Sequence, residues 1–552
     1  MKRFITLDIL RGASILGMIF LHLVDDLYDL SWTTTQAGLD NHSIAEIFLL
    51  IAGIFFGSWA GLFLLVSATG NMVSMHDALE KGKTVRSVVI KQVVGGFILL
   101  LFGFLAEGTL QYYGLFQTVR MGTMDFTRII WKGFTMETIH TIAWCMIING
   151  FVQGLLSLNH GHSKAKRNMI VYAILAIVVV IATQPIWDWL KTIYPGYPFT
   201  STGYMDRIVQ NPGPDAGAGE YILKFFFLPL GGLPEPIFPF LAVSFLGSMI
   251  GIAITRKDIS RKWPKQGVLL GMLIVVAGFV VWIAADMPFS SLLPLDNFSM
   301  FSRIGGGAGW KWLPWICFIT GSQVALTSLM FRLIEFRGNA RNAAERSKFV
   351  RKFGMIPFTL YTFHRTIAMA PLLLLSWIFQ VDMTIDVHNL DGWTSLGAIA
   401  VCLLFMYGLM LLWERKDYIG SLEWMIGTIG AYALGIPRRS GEKMKWYRWG
   451  ARDQQKLFYN AEWIDLFPRG DNGGVECRDS KLAMKMGIAA LMLPIGLGSA
   501  IGISLYKTAR TIEGPNKYGT IARGLLVAAI MFNVTLIVAL ALIKFGALGI
   551  SL

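Results

Sequence analysis

Long apolar runs separated by short polar connections dominate the pattern of this chain. Runs of about 18 to 25 residues are long enough, at a rise of about 1.5 Å per residue, to cross about 30 Å of hydrocarbon as α-helices. Ten runs begin near residues 5, 48, 88, 134, 168, 236, 267, 313, 354 and 395, and two more begin near 482 and 522. Backbone amides in lipid need partners within their own segment, so each span is predicted to be helical. The pattern therefore predicts an all-α polytopic membrane protein.

The composition indicates that lipid is the main solvent of the chain. The 552 residues are 54% hydrophobic and 15% charged, which is far more apolar than a soluble domain. The net charge of +14 is concentrated in alternate connections, within residues 1–3, 81–91, 164–167, 256–265 and 332–352. By the positive-inside rule, this alternation predicts a multi-pass protein of the cell membrane with a cytoplasmic N-terminus. Because topology explains the basic charge, we expect no nucleic-acid partner.

Three regions differ in composition. Residues 1–425 hold the ten spans, and residues 426–480 form a basic segment with aromatic residues among its charges, which is typical of a cytoplasmic or interfacial position. Residues 481–552 are predicted to form a transmembrane hairpin whose first helix carries Gly496, Gly498 and Gly502, spaced for close helix packing. The loop of this hairpin is basic, so either the hairpin is reversed or its loop breaks the charge rule. We expect it to dock a partner, in a homodimer or a larger membrane complex.

The cysteines predict neither a disulfide nor a metal site. Cys145, Cys317 and Cys402 lie in apolar spans, whereas Cys477 lies in a polar segment on the predicted cytoplasmic side. This distribution offers no two plausible partners.

The first span contains ionisable residues, which are costly inside a bilayer and are therefore functional candidates. Arg11 and His22 are eleven residues apart, which puts them on nearly one helix face about 16 Å apart along the axis. Asp8 lies one turn before Arg11, and Asp25 and Asp26 lie one turn after His22, where a carboxylate can orient an imidazole. The alternative interpretation is an arginine that pairs with Asp8 and reaches to the cytoplasm, with an interfacial histidine at the other end.

The pattern D-x-x-R-G, followed by a histidine eleven residues beyond the arginine, resembles the opening of the transmembrane acyltransferase superfamily. This group includes the acyltransferase-3 enzymes and the heparan-α-glucosaminide N-acetyltransferase relatives with their bacterial homologues. Later segments are similar to the family's motifs in the same order: FFGSWAGLFLLVSATGN, GFTMETIHTIAW, LPEPIFPFLAVSFLGSMIG, FGMIPFTLYTFH and YIGSLEWMI. The resemblance covers about residues 3–425. The chain departs from the family at Ala68, where glycine is usual, and at Pro234 and Glu235, where Asp-Tyr is frequent.

The resemblance implies a core of about ten helices that transfers an acyl group, acetyl above all, from cytoplasmic acyl-CoA. The acceptor would be a hydroxyl or amine of an extracytoplasmic glycan or lipid-linked molecule. His22 would be the general base, with Asp26 or Asp25 favouring the imidazolium that forms. In the N-acetyltransferase branch the catalytic histidine belongs to the exterior loop before the second span. His42 in DNHSIAE is therefore a second candidate for the base.

Five residues are predicted to bind the acyl-CoA co-substrate. Arg11, next to Asp8, would supply positive charge along the path of the acyl-pantetheine arm. His140, His364 and Arg365 are polar groups near span ends that can line the same cavity. The alternative for each histidine is a satisfied interfacial side chain.

Two other classes of function compete with the enzyme. A transporter favours inverted repeats or paired broken helices, and the two halves of this chain show no convincing similarity to each other. A structural or accessory subunit, built on an acyltransferase-like fold, would account for the C-terminal extension and its glycine-rich hairpin. Replacement of His22 and His42 separates the enzyme from a silent subunit, since a silent subunit would keep its cellular role.

Overall fold

The computed structural model of the chain describes a defined set of residues. These are residues 2–29, 60–111, 114–120, 122–126, 136–193, 217–232, 235–285, 310–385, 387–434, 455–467, 478–492, 497–513 and 518–527, with a few isolated positions between them. The chain divides into two compact units, Met1–Leu466 and Phe467–Leu552.

Helices make up nearly all of the regular structure in the described residues. In chain order they are α1 (Ile5–Leu27), α2 (Ala60–Glu80), α3 (Val85–Thr109), α4 (Leu115–Arg120), α5 (Thr138–Ser157), α6 (Ala165–Ile193), α7 (Ala218–Gly231), α8 (Ile237–Thr255), α9 (Trp263–Ala284), α10 (Leu313–Leu333), α11 (Ala340–Arg346), α12 (Lys348–Phe353), α13 (Pro357–Phe379), α14 (Gly392–Glu414), α15 (Leu422–Ala433), α16 (Arg478–Met492) and α17 (Leu497–Glu513).

Nine helices of the described part of the chain are long and apolar enough to cross a membrane: α1, α3, α5, α6, α8, α9, α10, α13 and α14. Each begins within four residues of a predicted start. These helices agree with the predicted all-α multi-pass architecture. The remaining predicted span of the core begins near residue 48, where most residues lie outside the described set, and α2 includes its later part.

The core of the first unit is built by close helix pairs. The helix α8 packs against α2 and α6 and is buried along almost its whole length, whereas α9 packs on α10 and exposes most of its apolar surface. Glycine allows the closest approach in the second pair. A Cβ added at Gly271 would lie 2.4 Å from the carbonyl oxygen of Gly321, and one added at Gly321 would lie 2.5 Å from that of Gly271. The exposed apolar face of α9 is the face expected to contact lipid.

Both ends of α1 are fixed by residues far along the chain. Glu335 accepts hydrogen bonds from the backbone N–H and the hydroxyl of Thr6, at 2.8 and 2.6 Å, and so satisfies donors of the first turn. At the other end, the N–H of Leu390 donates to the carbonyl oxygen of Leu27 at 3.0 Å. Between the ends, Gly12 lies against the backbone of Val350, where any Cβ would clash. The helix is therefore held in one position relative to α12 and α13.

A segment near the end of the first unit folds onto the N-terminus. Residues 455–466, which we name the C-terminal strap, contain the strand β2 (Glu462–Trp463), and β2 pairs in parallel with β1 (Lys2–Arg3). The guanidinium of Arg351 lies 4.3 Å from the ring centre of Phe458 and 4.5 Å from that of Trp463. The sequence analysis predicted no strand. It placed these residues in an interfacial segment that would contact the membrane surface, and the structure adds specific contacts with the core.

The second unit contains α16 and α17. The carboxylate of Glu513 accepts hydrogen bonds from the N–H groups of Asp479 and Ser480, at 2.5 and 3.0 Å, and so caps the start of α16. Gly502 lies in close contact with Leu526, since a Cβ there would meet the leucine side chain at 2.3 Å. Gly496 and most of the second predicted span of the hairpin lie outside the described residues. The transmembrane hairpin stays a prediction.

Candidate functional site

Four of the predicted site residues meet in two contacts between α1 and α13. His22 Nδ1 lies 2.9 Å from His364 Nε2, and the Asp26 carboxylate binds the Arg365 guanidinium at 2.6 and 3.1 Å. His22 and Asp26 are one turn apart on α1, and His364 and Arg365 are adjacent on α13, so two helix faces oppose each other. The sequence analysis named all four residues and did not predict that they pair with one another.

The hydrogen bonds around His364 determine the tautomers of both histidines. His364 Nδ1 lies 2.7 Å from the carbonyl oxygen of Tyr361, and a carbonyl can only accept, so Nδ1 carries the proton. In a neutral ring, Nε2 of His364 is then an acceptor, and His22 must donate to it from Nδ1. This leaves the basic lone pair of His22 on Nε2. Such an orientation of one histidine by a second group is what a general base requires.

The Asp26–Arg365 pair is a buried, bidentate ion pair. Asp26 is fully buried and Arg365 is 7% exposed, and each guanidinium nitrogen involved meets a different carboxylate oxygen. The planar fork of arginine matches a carboxylate in this way, which fixes direction as well as distance. The pair therefore holds the α1 turn that carries His22 in register with the α13 turn that carries His364. A direct effect of the Asp26 charge on His22 stays a prediction.

A second group of polar residues, Glu107 on α3, Gln111 just after α3 and Tyr361 on α13, is joined to His364 through the Tyr361 carbonyl. The Tyr361 hydroxyl donates to the Glu107 carboxylate at 3.2 Å, and the amide of Gln111 donates to the Tyr361 carbonyl oxygen at 2.8 Å. The Tyr361 carbonyl thus accepts from both Gln111 and His364. The sequence analysis assigned no role to these three residues. Glu107, a carboxylate at the end of an apolar run, was the signal that could have identified them.

His140 and Glu235 lie together near the start of α5 and α8. Both are buried, and the hydroxyl of Thr141 donates to the carbonyl oxygen of Glu235. Burial raises the pKa of the Glu235 carboxyl to about 8; the Thr138 hydroxyl opposes this shift, and the charge of Glu137 adds to it. Neither carboxylate oxygen of Glu235 has a hydrogen-bond partner of good geometry among the described residues. His140 lies against α3, since a Cβ at Gly103 would be 3.6 Å from its Nε2.

Arg11 lies at the opposite end of α1, in a charged group of its own. Its guanidinium is 3.7 Å from the Asp8 carboxylate, and Arg3 makes the shorter contact with that carboxylate at 2.6 Å. The pairing of Asp8 with Arg11 follows from their spacing, whereas the competition from Arg3 does not. Gly70 of α2 faces the Arg11 guanidinium, with 3.5 Å to the position of an added Cβ. A passage that joins Arg11 to His22 along α1 stays a prediction.

A cleft of the described bundle lies between α2, α3, α5 and α8. Its lining includes Asn71, Gln92, Asn149 and Ser248, and it contains neither Arg11 nor His22. The second candidate for the base, His42, lies outside the described residues. Among the residues that the structure describes, no three His, Cys, Asp or Glu side chains are grouped so as to hold a metal ion.

Comparison with known proteins gives no relative. No protein-family model matches the sequence, and no curated protein matches it at a significant level. What the fold itself supports is a class: a helical protein with several apolar helices suited to crossing a membrane. The resemblance to the transmembrane acyltransferases therefore stays an inference from the sequence.

Proposed function

We propose that this chain is an integral membrane acyltransferase. It would move an acyl group, acetyl above all, from cytoplasmic acyl-CoA to a hydroxyl or amine of an extracytoplasmic glycan or lipid-linked acceptor. The observation that carries the proposal is the hydrogen-bonded series of His22, His364 and the Tyr361 carbonyl, because it puts the basic lone pair of His22 on Nε2. The order of family-like motifs over residues 3–425 supports the choice of reaction.

In this mechanism His22 acts on the acceptor. Its Nε2 takes the proton of the acceptor O–H or N–H while the acceptor atom attacks the carbonyl carbon of the thioester. The C–S bond then breaks, and the leaving thiolate takes up the proton from the His22 imidazolium. His22 Nδ1 keeps its hydrogen bond to His364 Nε2 throughout, and that acceptor stabilises the imidazolium because charged donors form the stronger hydrogen bonds.

The other predicted site residues have supporting roles in this proposal. His364 and Arg365 are positioning residues, since one orients the His22 ring and the other fixes the neighbouring turn through Asp26. Arg11 and Asp8 would lie near the cytoplasmic opening, where Arg11 attracts the phosphates of the donor. His140 would line the donor cavity beside Glu235. His42 is the alternative base.

The test is the turnover of radiolabelled acetyl-CoA in membranes that contain the protein. His22→Ala is expected to lower turnover by about 10²- to 10⁴-fold, the range for a general base. His364→Ala should lower it less and shift the pH profile, because His22 keeps its basic nitrogen and loses the group that orients it. His160→Ala, at an exposed histidine, is the matched control and should leave turnover unchanged. Equal turnover in wild type and His22→Ala, with a loss in His42→Ala, would transfer the role to His42.

A second candidate, an accessory subunit of a larger membrane complex, is favoured by one observation. The last residues of the chain form a compact unit of their own, Phe467–Leu552. Such a unit suits a docking function. If turnover is absent in wild type and the double variant His22→Ala/His42→Ala keeps the cellular role of the protein, the subunit hypothesis replaces the enzyme.

A further inference from the structure

The cleft between α2, α3, α5 and α8 is lined by neutral hydrogen-bonding side chains. In a bundle of apolar helices such groups are expensive unless they find partners in protein, water or a ligand. The lining has no charged side chain, and its polar members are Ser67, Asn71, Gln92, Asn149, Ser244 and Ser248. A site of this composition suits an uncharged chain with amide or hydroxyl groups, and it disfavours ions.

Among the described residues of the lining, Gln92 is the one with a buried side-chain atom, the amide Nε2, that makes no hydrogen bond. Asn149 is satisfied, because its amide donates to Ser244 at 2.7 Å and its oxygen accepts from Ser248 at 3.1 Å. The Gln92 side chain is only 7% exposed, and within the described part of the chain no acceptor lies within reach of its Nε2. An unpaired amide donor in an apolar bundle lowers stability, because the group has lost water without gaining an acceptor. A ligand carbonyl at this point of the cleft would remove that cost.

The charges outside the cleft indicate which end carries an anionic group. Gln92 lies seven residues after the first residue of α3, about 10 Å along the axis, so the start of this helix is the nearer of its two ends to the cleft. Exposed Lys83 and Arg86 lie at that start, while Lys81 is bound by Asp77 at 2.6 Å. This is the predicted cytoplasmic side. Two exposed cations there suit phosphate groups that stay in water while an uncharged arm enters the bundle.

The cleft is narrow in the described conformation, and side chains of its lining can move to widen it. Met72, Met75 and Met146 contribute to the wall, together with small residues such as Ala68 and Ser244. Methionine is unbranched and changes rotamer at low cost, so methionine-lined surfaces adapt to the ligand that they receive. A linear arm needs only this side-chain movement, whereas a bulky ring would need the helices to separate.

We infer that the cleft between α2, α3, α5 and α8 binds the amide-bearing pantetheine arm of a coenzyme A thioester, with the Gln92 amide donating to an arm carbonyl and Lys83 and Arg86 facing the phosphates. The inference rests on the proposed function for the choice of donor. It differs from the proposed function in one point: Lys83 and Arg86, and not Arg11 on α1, would face the phosphates of the donor. The thioester end would then approach α5 and α8 near His140 and Glu235.

The experiment measures binding to the full-length protein in lipid nanodiscs, with CoA, pantetheine and adenosine 3′,5′-bisphosphate as probes. Gln92→Met keeps the size of the side chain and removes its amide. Loss of one neutral hydrogen bond should weaken the binding of CoA and of pantetheine by about three- to tenfold and leave that of the bisphosphate unchanged. Gln266→Met makes the same chemical change at an exposed position and should bind all three probes as wild type does.

A second variant covers the case in which Gln92→Met folds poorly. Ser67→Leu fills the cleft from α2 and leaves Gln92 unsubstituted. It should abolish pantetheine binding while the bisphosphate still binds. Wild-type affinity for CoA in both variants, or an equal loss for all three probes, would overturn the inference.

Turnover of the same preparations separates this inference from the proposed function. If His22→Ala binds CoA normally and does not turn it over, while Gln92→Met binds CoA as wild type does, the function stands and the cleft assignment fails. If Gln92→Met loses CoA affinity while His22→Ala turns over normally, the cleft assignment stands and the choice of base fails.

Discussion

The buried pair of Asp26 and Arg365 should be the polar contact whose loss costs the most stability. Both groups are shielded from water and share two hydrogen bonds of 2.6 and 3.1 Å. Removal of one partner from such a pair leaves an uncompensated charge and costs about 3 to 5 kcal/mol. We therefore expect Arg365→Met and Asp26→Asn each to lower the free energy of unfolding by about 3 kcal/mol or more.

The double variant distinguishes a pairing effect from a packing effect. In Asp26→Asn/Arg365→Met no charge is left without a partner, so its stability should be no lower than that of either single variant. The coupling free energy would then be about 3 kcal/mol, at the high end for residues in contact. Turnover should still fall, because the double variant lacks the ion pair that holds His22 in register with His364.

The assay is a titration of the protein in mixed micelles with SDS, followed by tryptophan fluorescence. Lys81→Met removes one partner of an exposed ion pair, with Asp77 at 2.6 Å, and serves as the matched control with an expected cost of at most about 1 kcal/mol. If Arg365→Met is as stable as Lys81→Met, the pair is hydrated in the protein, and its proposed role in fixing α1 against α13 is refuted.

Two further predictions concern contacts outside the spans. Asp391 caps α14, and hydrogen bonds from Thr394 and from the Trp393 N–H lower the pKa of its carboxyl. The contribution of this carboxylate to the free energy of unfolding is therefore fully present above the unfolded pKa of about 3.9. It is lost as the pH falls through the lower pKa of the folded state. Asp391→Ala should cost about 1 kcal/mol at neutral pH and less at pH 3 in the same titration, whereas Asp391→Asn keeps the cap. Trp463→Ala removes one ring beside Arg351, worth about 1 kcal/mol, and should speed limited proteolysis of residues 455–466 about fivefold. Unchanged cleavage would show that this ring does not hold the C-terminal strap.

The length of the apolar runs was enough to predict the helices, because each span satisfies its own backbone and carries its signal locally. The spacing of Asp8 and Arg11 predicted their contact for the same reason, since residues three apart on a helix are neighbours. The pairing of His22 with His364 is different. These residues are 342 positions apart, and their contact depends on how α1 and α13 pack, which no local pattern encodes. The sequence therefore predicted which residues belong to the site and did not predict the contacts between them.

The basic connection before α13 shows how one signal can have two causes. Its charges predicted a cytoplasmic loop, and that interpretation treats them as solvated. In the structure Arg351 and Lys352 are buried: Arg351 lies between Phe458 and Trp463, and Lys352 binds Glu414 at 2.7 Å and the Tyr459 hydroxyl at 3.1 Å. The partners Phe458, Tyr459 and Trp463 lie in the C-terminal strap, more than 100 residues later, where aromatic residues among charges also suit a membrane surface. Because the strap also contacts Arg3, which binds Asp8, we expect the conformation of residues 455–466 to be coupled to the charged group around Arg11. A change in the strap should therefore alter the contacts at the predicted cytoplasmic end of α1 more than those of His22.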